Sequence, residues 1–106
     1  MELINKHRNE LNKACLTFKV DELYAFGSIL TESFNSESDI DFIVLIQSND
    51  PIEYAENYFD LKFELEKIFK RKIDLLEQKA IRNKNFETLV NQKKILVYAR
   101  RNQGVA

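Results

Sequence analysis

The sequence predicts an α/β fold, because it combines short apolar runs typical of strands with longer segments of helical periodicity. The apolar runs lie at residues 22–26, 42–46 and 72–76. The segments of helical periodicity cover residues 2–18, 51–70 and 83–92. With 44% hydrophobic residues, two glycines and one proline, the composition indicates a compact chain. At 106 residues, the chain is expected to form one domain, residues 1–106, without room for a separate substrate-binding domain.

The first helix is predicted over residues 2–18 from apolar side chains at steps of three and four. The only histidine, His7, lies on this apolar face, and we interpret it as an edge-of-core residue rather than a catalytic one. The only cysteine, Cys15, cannot form an internal disulfide, and we interpret it as a small core residue. A lone cysteine is consistent with a reducing compartment.

The second helix is predicted to begin at the turn Asn49-Asp50-Pro51 and to end near Lys70. It carries two adjacent apolar stripes, which together cover about half of its circumference at 100° per residue. The first stripe is Tyr54, Tyr58, Leu61, Leu65 and Ile68, and the second is Ala55, Phe59 and Phe63. We therefore predict that a partner chain or a second copy of this chain covers Phe59 and Phe63. The alternative is that the N-terminal or C-terminal helix covers them.

The last third of the chain is less informative. Residues 79–81 are candidates for the rim of a site, and residues 95–98 form either a last short strand or the end of the preceding helix. Residues 100–106 are expected to fray.

Charge is divided unevenly along the chain. Residues 1–66 hold 14 acidic and 5 basic side chains, whereas residues 67–106 hold 3 acidic and 11 basic ones. We expect the two halves to interleave and neutralise each other, although the basic end could also attract a triphosphate or an acidic partner. The sequence has no basic patch interleaved with aromatic residues, so a nucleic-acid partner is not expected. No run resembles a signal peptide or a membrane span, so a cytoplasmic protein with no membrane partner is expected.

The most informative local pattern is a pair of aspartates at the start of the second apolar run. In a strand, Asp39 and Asp41 project from the same face, about 6.6 Å apart at the backbone. Two carboxylates at the mouth of a hydrophobic strand repel each other, and a bound cation would offset that repulsion. Oxygen ligands suit Mg²⁺, which completes its shell with water and substrate phosphates. The pair therefore predicts a magnesium site that works together with a nucleotide.

Gly27-Ser28 supplies the complementary half of the predicted site. A glycine directly after the first strand lets the backbone turn sharply and approach a ligand closely. Ser28 then begins a short predicted helix, whose free N–H groups favour phosphate.

A third carboxylate, Asp74, lies in the middle of the third apolar run. An acid there is unfavourable unless a metal or a partner compensates its charge. If the third strand lies beside the Asp39–Asp41 strand, Asp74 faces the same site and could bind metal and accept a proton from an attacking hydroxyl. The alternative is a strand-edge aspartate paired with one of the bases Lys70, Arg71 and Lys72.

Together these five residues resemble the Gly-Ser, Asp-x-Asp and downstream-aspartate motif of the polymerase-β-like nucleotidyltransferases, and the chain length is similar to that of their minimal members. The resemblance implies an α/β core with a small mixed sheet of three or four strands and helices packed on one face. It implies that Asp39, Asp41 and Asp74 are the catalytic, Mg²⁺-binding carboxylates and that Gly27 and Ser28 bind the triphosphate of ATP or another nucleotide. Many relatives have Arg-Gly where this chain has Thr31-Glu32.

The resemblance also implies a biological role. Minimal nucleotidyltransferases of this kind commonly act as the antitoxin beside a helical HEPN-type toxin and adenylylate a tyrosine on it. Two alternatives stay open: a non-catalytic module that blocks its partner sterically, and nucleotide transfer to a small molecule. A homo-oligomer is a further possibility, since a second copy could complete a small-molecule pocket.

Overall fold

The computed structural model describes residues 1–100 as four helices around a four-stranded sheet. The helices are α1 (Glu2–Lys6), α2 (Arg8–Thr17), α3 (Pro51–Phe69) and α4 (Lys84–Lys93). The strands are β1 (Val20–Phe26), β2 (Ile40–Ile46), β3 (Ile73–Glu77) and β4 (Ile95–Ala99). Apart from Arg100, the predicted C-terminal tail lies outside the described residues.

The sheet is mixed, as predicted, with the strand order β3-β2-β1-β4. Strand β1 is antiparallel to both β2 and β4, whereas β2 and β3 are parallel. Residues 95–98, predicted as either a strand or a helix end, therefore belong to strand β4 at the sheet edge. Because the strands of the C-terminal half flank those of the N-terminal half on both sides, the acidic and basic halves of the chain interleave.

The main core lies on the face of the sheet that α1, α2 and α3 cover. Alternate strand residues such as Leu23, Val44 and Ile73 are fully buried there. The opposite face carries a smaller contact, where Phe86 of α4 packs edge-on against Phe26 at a centroid distance of 6.1 Å. The predicted packing of the main core on one face is confirmed, and α4 adds a partial cover on the other.

The single helix predicted over residues 2–18 is interrupted at His7. The amide of His7 bonds to the carbonyl of Ile4 at 3.1 Å, three residues back, so the turn is tighter than in an α-helix. The His7 ring packs edge-on against Phe69, and Arg8 donates a hydrogen bond to the carbonyl of Val97. These long-range contacts redirect the chain, and they confirm that His7 is an edge-of-core residue.

Helix α3 has a defined start and end. The carboxylate of Asp50 accepts a hydrogen bond from the amide of Ile52 at 3.0 Å, and Pro51 occupies the first turn. The helix ends where Lys70 adopts a left-handed conformation, with φ 54°. Its first predicted stripe packs on the core, including Leu61 and Leu65, which are fully buried.

The second stripe of α3 is exposed. Phe59 and Phe63 are 52% and 61% exposed, and Ile52 extends the same stripe with 71% exposure. Neither terminal helix covers this surface, so that alternative is wrong. No helix in residues 1–100 combines the length and the apolar character needed to cross a membrane.

Candidate active site

The site forms where the end of β1 lies beside the starts of β2 and β3. Phe26, the last residue of β1, pairs with Asp41 near the start of β2. Asp41 in turn pairs with Asp74 near the start of β3. Because β2 and β3 are parallel and in register, these two aspartates project from the same face of adjacent strands. The structure thus places Asp74 beside Asp41. The sequence predicted this only on the condition that the third strand lies next to the second.

The electrostatics of the site reflect this convergence. Burial raises the pKa of the Asp41 carboxyl, and the neighbouring charges of Asp74 and Asp39 raise it further. A hydrogen bond between the side chains of Asp41 and Asp74 acts in the same direction. Asp39 and Asp74 therefore both interact with Asp41, and both disfavour its ionisation.

The alternative assignment of Asp74 as the partner of a neighbouring base does not match the contacts. Lys72 instead lies 4.0 Å from a carboxylate oxygen of Asp39. Arg71 donates hydrogen bonds to the carbonyls of Asn35 and Ser38, at 3.0 and 2.8 Å. No ion pair engages Asp74 within the described part of the chain.

Gly27 lies in contact with the acidic cluster. Its φ of +80° lies in the left-handed region, which favours glycine. A Cβ built on Gly27 would stand 2.3 Å from Oδ2 of Asp41, a distance that forces one of the two groups to move. Glycine at this position therefore allows the turn after β1 and the carboxylate of Asp41 to share the same small space.

Ser28 belongs to a short 3₁₀ turn, Gly27–Leu30, that follows β1 directly. This element corresponds to the short helix predicted after the glycine. The carbonyl of Ser28 accepts hydrogen bonds from the amide and the hydroxyl of Thr31, at 2.9 and 2.8 Å. These bonds fix the backbone of the turn that lies beside Asp41.

The loop before Asp39 is held in place by Arg71, which no sequence motif assigned to the site. Besides its two hydrogen bonds to loop carbonyls, the Arg71 guanidinium stacks over Phe34 at 4.7 Å from the ring centroid. No local pattern marks Arg71 as a loop anchor, because its partners lie more than 30 residues earlier in the chain.

Two cavities flank α4 on the face that carries Asp41 and Asp74. One, of about 490 Å³, includes Gly27, Thr31 and Lys93 in its lining. The other, of about 480 Å³, is lined by the end of β3 and the following turn, including Leu76 and Ala80. Leu76 lies two residues beyond Asp74 on the same face of β3. Of residues 79–81, predicted as a rim, Ala80 and Ile81 line this second cavity, whose lining includes none of the five predicted site residues.

The donor set suits a divalent cation that is shared with a substrate. No group of three or more His, Cys, Asp or Glu side chains in residues 1–100 forms a ready-made metal cage. Mg²⁺ does not need one, because it is usually held by one or two carboxylates together with phosphates and water. Burial and, after it, repulsion from Asp74 and Asp39 raise the pKa of Asp41, and a cation would favour the ionised carboxylate against both.

Comparison with known proteins agrees with the fold. The family described as "Polymerase beta, Nucleotidyltransferase" matches residues 9–103. A Methanocaldococcus jannaschii protein, named as a protein adenylyltransferase, is 35% identical over 82 residues, which are 77% of this chain and 78% of that protein. The chain therefore belongs to the polymerase β nucleotidyltransferase family, and it is a nucleotidyltransferase.

Solved structures show the same fold at low identity. A structure described as a minimal nucleotidyltransferase superposes with a TM-score of 0.72 at 18% identity, over 89% of this chain and 92% of that one. A toxin–antitoxin complex with AMP-PNP gives a TM-score of 0.67 at 20% identity, over 91% and 76% of the two chains. A complex of a tri-AMPylated Shewanella oneidensis HEPN toxin with an MNT antitoxin gives a TM-score of 0.62 at 19% identity, over 93% of this chain and 75% of that one.

Proposed function

We propose that this nucleotidyltransferase transfers AMP from ATP, with Mg²⁺, to a tyrosine hydroxyl of a HEPN-type partner and thereby acts as its antitoxin. The observation that carries the proposal is the convergence of Asp39, Asp41 and Asp74 beside the Gly27 turn. A glycine turn and adjacent carboxylates together offer a place for a triphosphate and for the cation that accompanies it.

The proposed reaction is an in-line displacement at the α-phosphorus of ATP. The acceptor oxygen forms a bond to that phosphorus, the bond from the phosphorus to the bridging oxygen breaks, and pyrophosphate leaves with its electron pair. The hydroxyl proton goes to the carboxylate of Asp74, which is the proposed general base. Gly27 and Ser28 hold the triphosphate through their backbone, so that the chain contributes mainly positioning and charge stabilisation.

Asp39 and Asp41 would hold Mg²⁺, together with Asp74. When bound, the cation would neutralise the charge that develops on the phosphate oxygens. The residues suit this role, because Asp41 already lies in the combined field of the other two acids. The ion pair between Lys72 and Asp39 is long, at 4.0 Å, and leaves the carboxylate 47% exposed for such a ligand.

The partner assignment is supported by two independent features. Relatives of this fold are named as a protein adenylyltransferase and as an antitoxin in complex with a HEPN toxin. The chain itself presents an exposed apolar stripe on α3, defined by Ile52, Phe59 and Phe63. Exposed stripes of this kind mediate protein–protein contacts. ATP as the substrate and the lone, buried Cys15 are both consistent with a cytoplasmic location.

The test combines the purified protein with Mg²⁺, ATP and the HEPN-type protein encoded beside it, and measures the intact mass of that protein. We expect its mass to rise by one or more AMP groups, and peptide mapping to locate them on tyrosine. The double variant Asp39→Asn, Asp41→Asn should leave the mass unchanged. An unmodified partner in the presence of the wild-type protein would refute the proposal.

The same variant distinguishes catalysis from steric blocking. If the chain were only a binding module, the double variant would still neutralise its partner in cells. If the acceptor were a small molecule, AMP transfer would occur without any change in the mass of the partner. We expect the double variant to lose protection and to keep its binding to the partner.

A further inference from the structure

The segment around the Gly27 turn lacks positive side chains that could meet the negative charge of a triphosphate. Residues 20–61 contain the Gly27 turn and the Asp39–Asp41 pair, and they include ten acids and no lysine or arginine. Thr31 and Glu32, directly after the turn, bring no positive charge. Any side-chain cation that this chain itself brings to the triphosphate must therefore come from outside residues 20–61.

The fold brings one such cation to the glycine turn. Ile95, at the start of β4, pairs with Ala25, two residues before Gly27. Lys93, at the end of α4, therefore lies beside the end of β1. It shares the lining of the 490 Å³ cavity with Gly27 and Thr31.

Three other bases of the C-terminal half already have partners. Lys72 lies against Asp39, and Arg71 is bonded to the carbonyls of the Asp39 loop. Lys94 donates to Gln78 at 3.2 Å and lies over the ring of Tyr24. In the part of the chain that the structure describes, no hydrogen bond or ion pair engages the ammonium of Lys93.

The remaining wall of this cavity is apolar, formed by Phe26, Leu30, Leu89 and Ile95. Apolar walls exclude water and strengthen the attraction between a cation and a phosphate compared with the open surface. A flexible ammonium with three donors suits a phosphate group whose position varies slightly between steps of a reaction.

We propose that Lys93 is the triphosphate-binding cation of this enzyme and that the cavity between the Gly27 turn and the end of α4 holds the polyphosphate arm of the nucleotide. The inference rests on the proposed function, because it assigns a binding residue to the same site. Lys93 acts by positioning the β- and γ-phosphates, and the proton transfer stays with Asp74.

The test measures the dissociation constants of Mg²⁺-ATP and of AMP for the wild type and for the variants Lys93→Gln and Lys93→Arg. Loss of one charge-assisted hydrogen bond should weaken ATP binding about ten-fold in Lys93→Gln, with AMP affected less than about two-fold. Lys93→Arg should retain most of the affinity. Added salt should weaken ATP binding by the wild type more than by Lys93→Gln.

Lys84→Gln is the matched control, since it removes the same charge from the other end of α4, about 13 Å away along the helix. It should bind ATP as the wild type does. Equal weakening of ATP and AMP in Lys93→Gln, or unchanged ATP binding, would overturn the inference, and thermal melting verifies that the variant is folded. A wild-type protein that binds ATP and modifies its partner while Lys93→Gln behaves identically would refute this inference alone. Failure of the wild type to bind ATP would refute both.

Discussion

The Cα of Gly27 and the carboxylate of Asp41 lie so close that a methyl group on Gly27 would stand 2.3 Å from Oδ2 of Asp41. The turn that follows β1 and the acid near the start of β2 therefore depend on each other. The phosphate-binding backbone proposed at Gly27 and the metal-binding group proposed at Asp41 cannot be repositioned independently.

Gly27→Ala should reduce AMP transfer about 100-fold, because displacing a catalytic group by even 1 Å can have that effect. It should also lower the free energy of unfolding by about 1–3 kcal/mol, since an L-residue is strained at φ +80° and its Cβ meets Asp41. Rates from intact mass and urea titration measure the two effects. Ser33→Ala, in the following loop, is the control and should change neither.

A double-mutant cycle isolates the contact between the two residues. In an Asp41→Ala background the oxygen that Gly27→Ala would meet is gone, so only the backbone strain should remain. The loss of stability should then be smaller than in the wild type. An equal loss in both backgrounds would show that the close approach is not what requires glycine.

Asp41→Asn should abolish transfer and yet stabilise the fold near neutral pH, by less than about 1 kcal/mol, because solvent screens the charge of a partly exposed carboxylate. The pKa of Asp41 is raised in the folded state, so the folded protein binds the proton more tightly than the unfolded chain does. The stability that this residue contributes is therefore present at low pH and is lost as the pH rises through its folded pKa. The gain of Asp41→Asn should be full at pH 7 and should shrink as the pH approaches the ordinary value of 3.8.

Thermal melting of Asp41→Asn and the wild type between pH 3 and pH 8, without added metal, measures this difference. Ser33→Ala, an exposed change that removes no titratable group, is the control and should melt as the wild type does at each pH. A destabilised Asp41→Asn at pH 7 would contradict the assignment of Asp41 as a mutually repelled acid.

Asp74→Asn should lower the transfer rate about 100- to 10 000-fold, the range expected when a general base is lost. Its affinity for Mg²⁺-ATP should stay within a few-fold of the wild type, since Asp39 and Asp41 remain. Rates from single-turnover assays and affinities from calorimetry separate the two quantities. A variant that loses ATP affinity and keeps its rate at saturating ATP would assign Asp74 to metal binding alone.

The double variant Phe59→Ser, Phe63→Ser should weaken association with the protein partner by at least about ten-fold, because two large side chains of the exposed stripe are lost. The fold should be retained, since both side chains lie outside the core. Size-exclusion chromatography with and without the partner measures the change. Leu16→Ser on α2, which is 63% exposed, is the control and should leave association unchanged. Unaltered association of the folded double variant would remove this stripe from the interface.

Much of the site could be predicted because its parts are local. Side-chain alternation along one strand places Asp39 and Asp41 on the same face, and a glycine directly after a strand indicates a sharp turn. The short helical turn at Gly27–Leu30 and the start of α3 at Pro51 follow from similarly local rules.

Other features could not be predicted locally. The apolar pattern of residues 2–18 is continuous, yet contacts of His7 with Phe69 and of Arg8 with β4 interrupt the helix. Residues 95–98 form a strand because they pair with β1 in the sheet. Arg71 supports the Asp39 loop through partners that only the folded chain brings near it.

By itself, the sequence determined the α/β class, the positions of the first three strands and the motif residues, because periodicity and turn chemistry act over a few neighbouring residues. Only the tertiary structure decided that Asp74 stands beside Asp41 and that Lys93 lies beside Gly27. Both juxtapositions depend on strand register, which hydrogen bonds between distant segments fix and which no local pattern encodes.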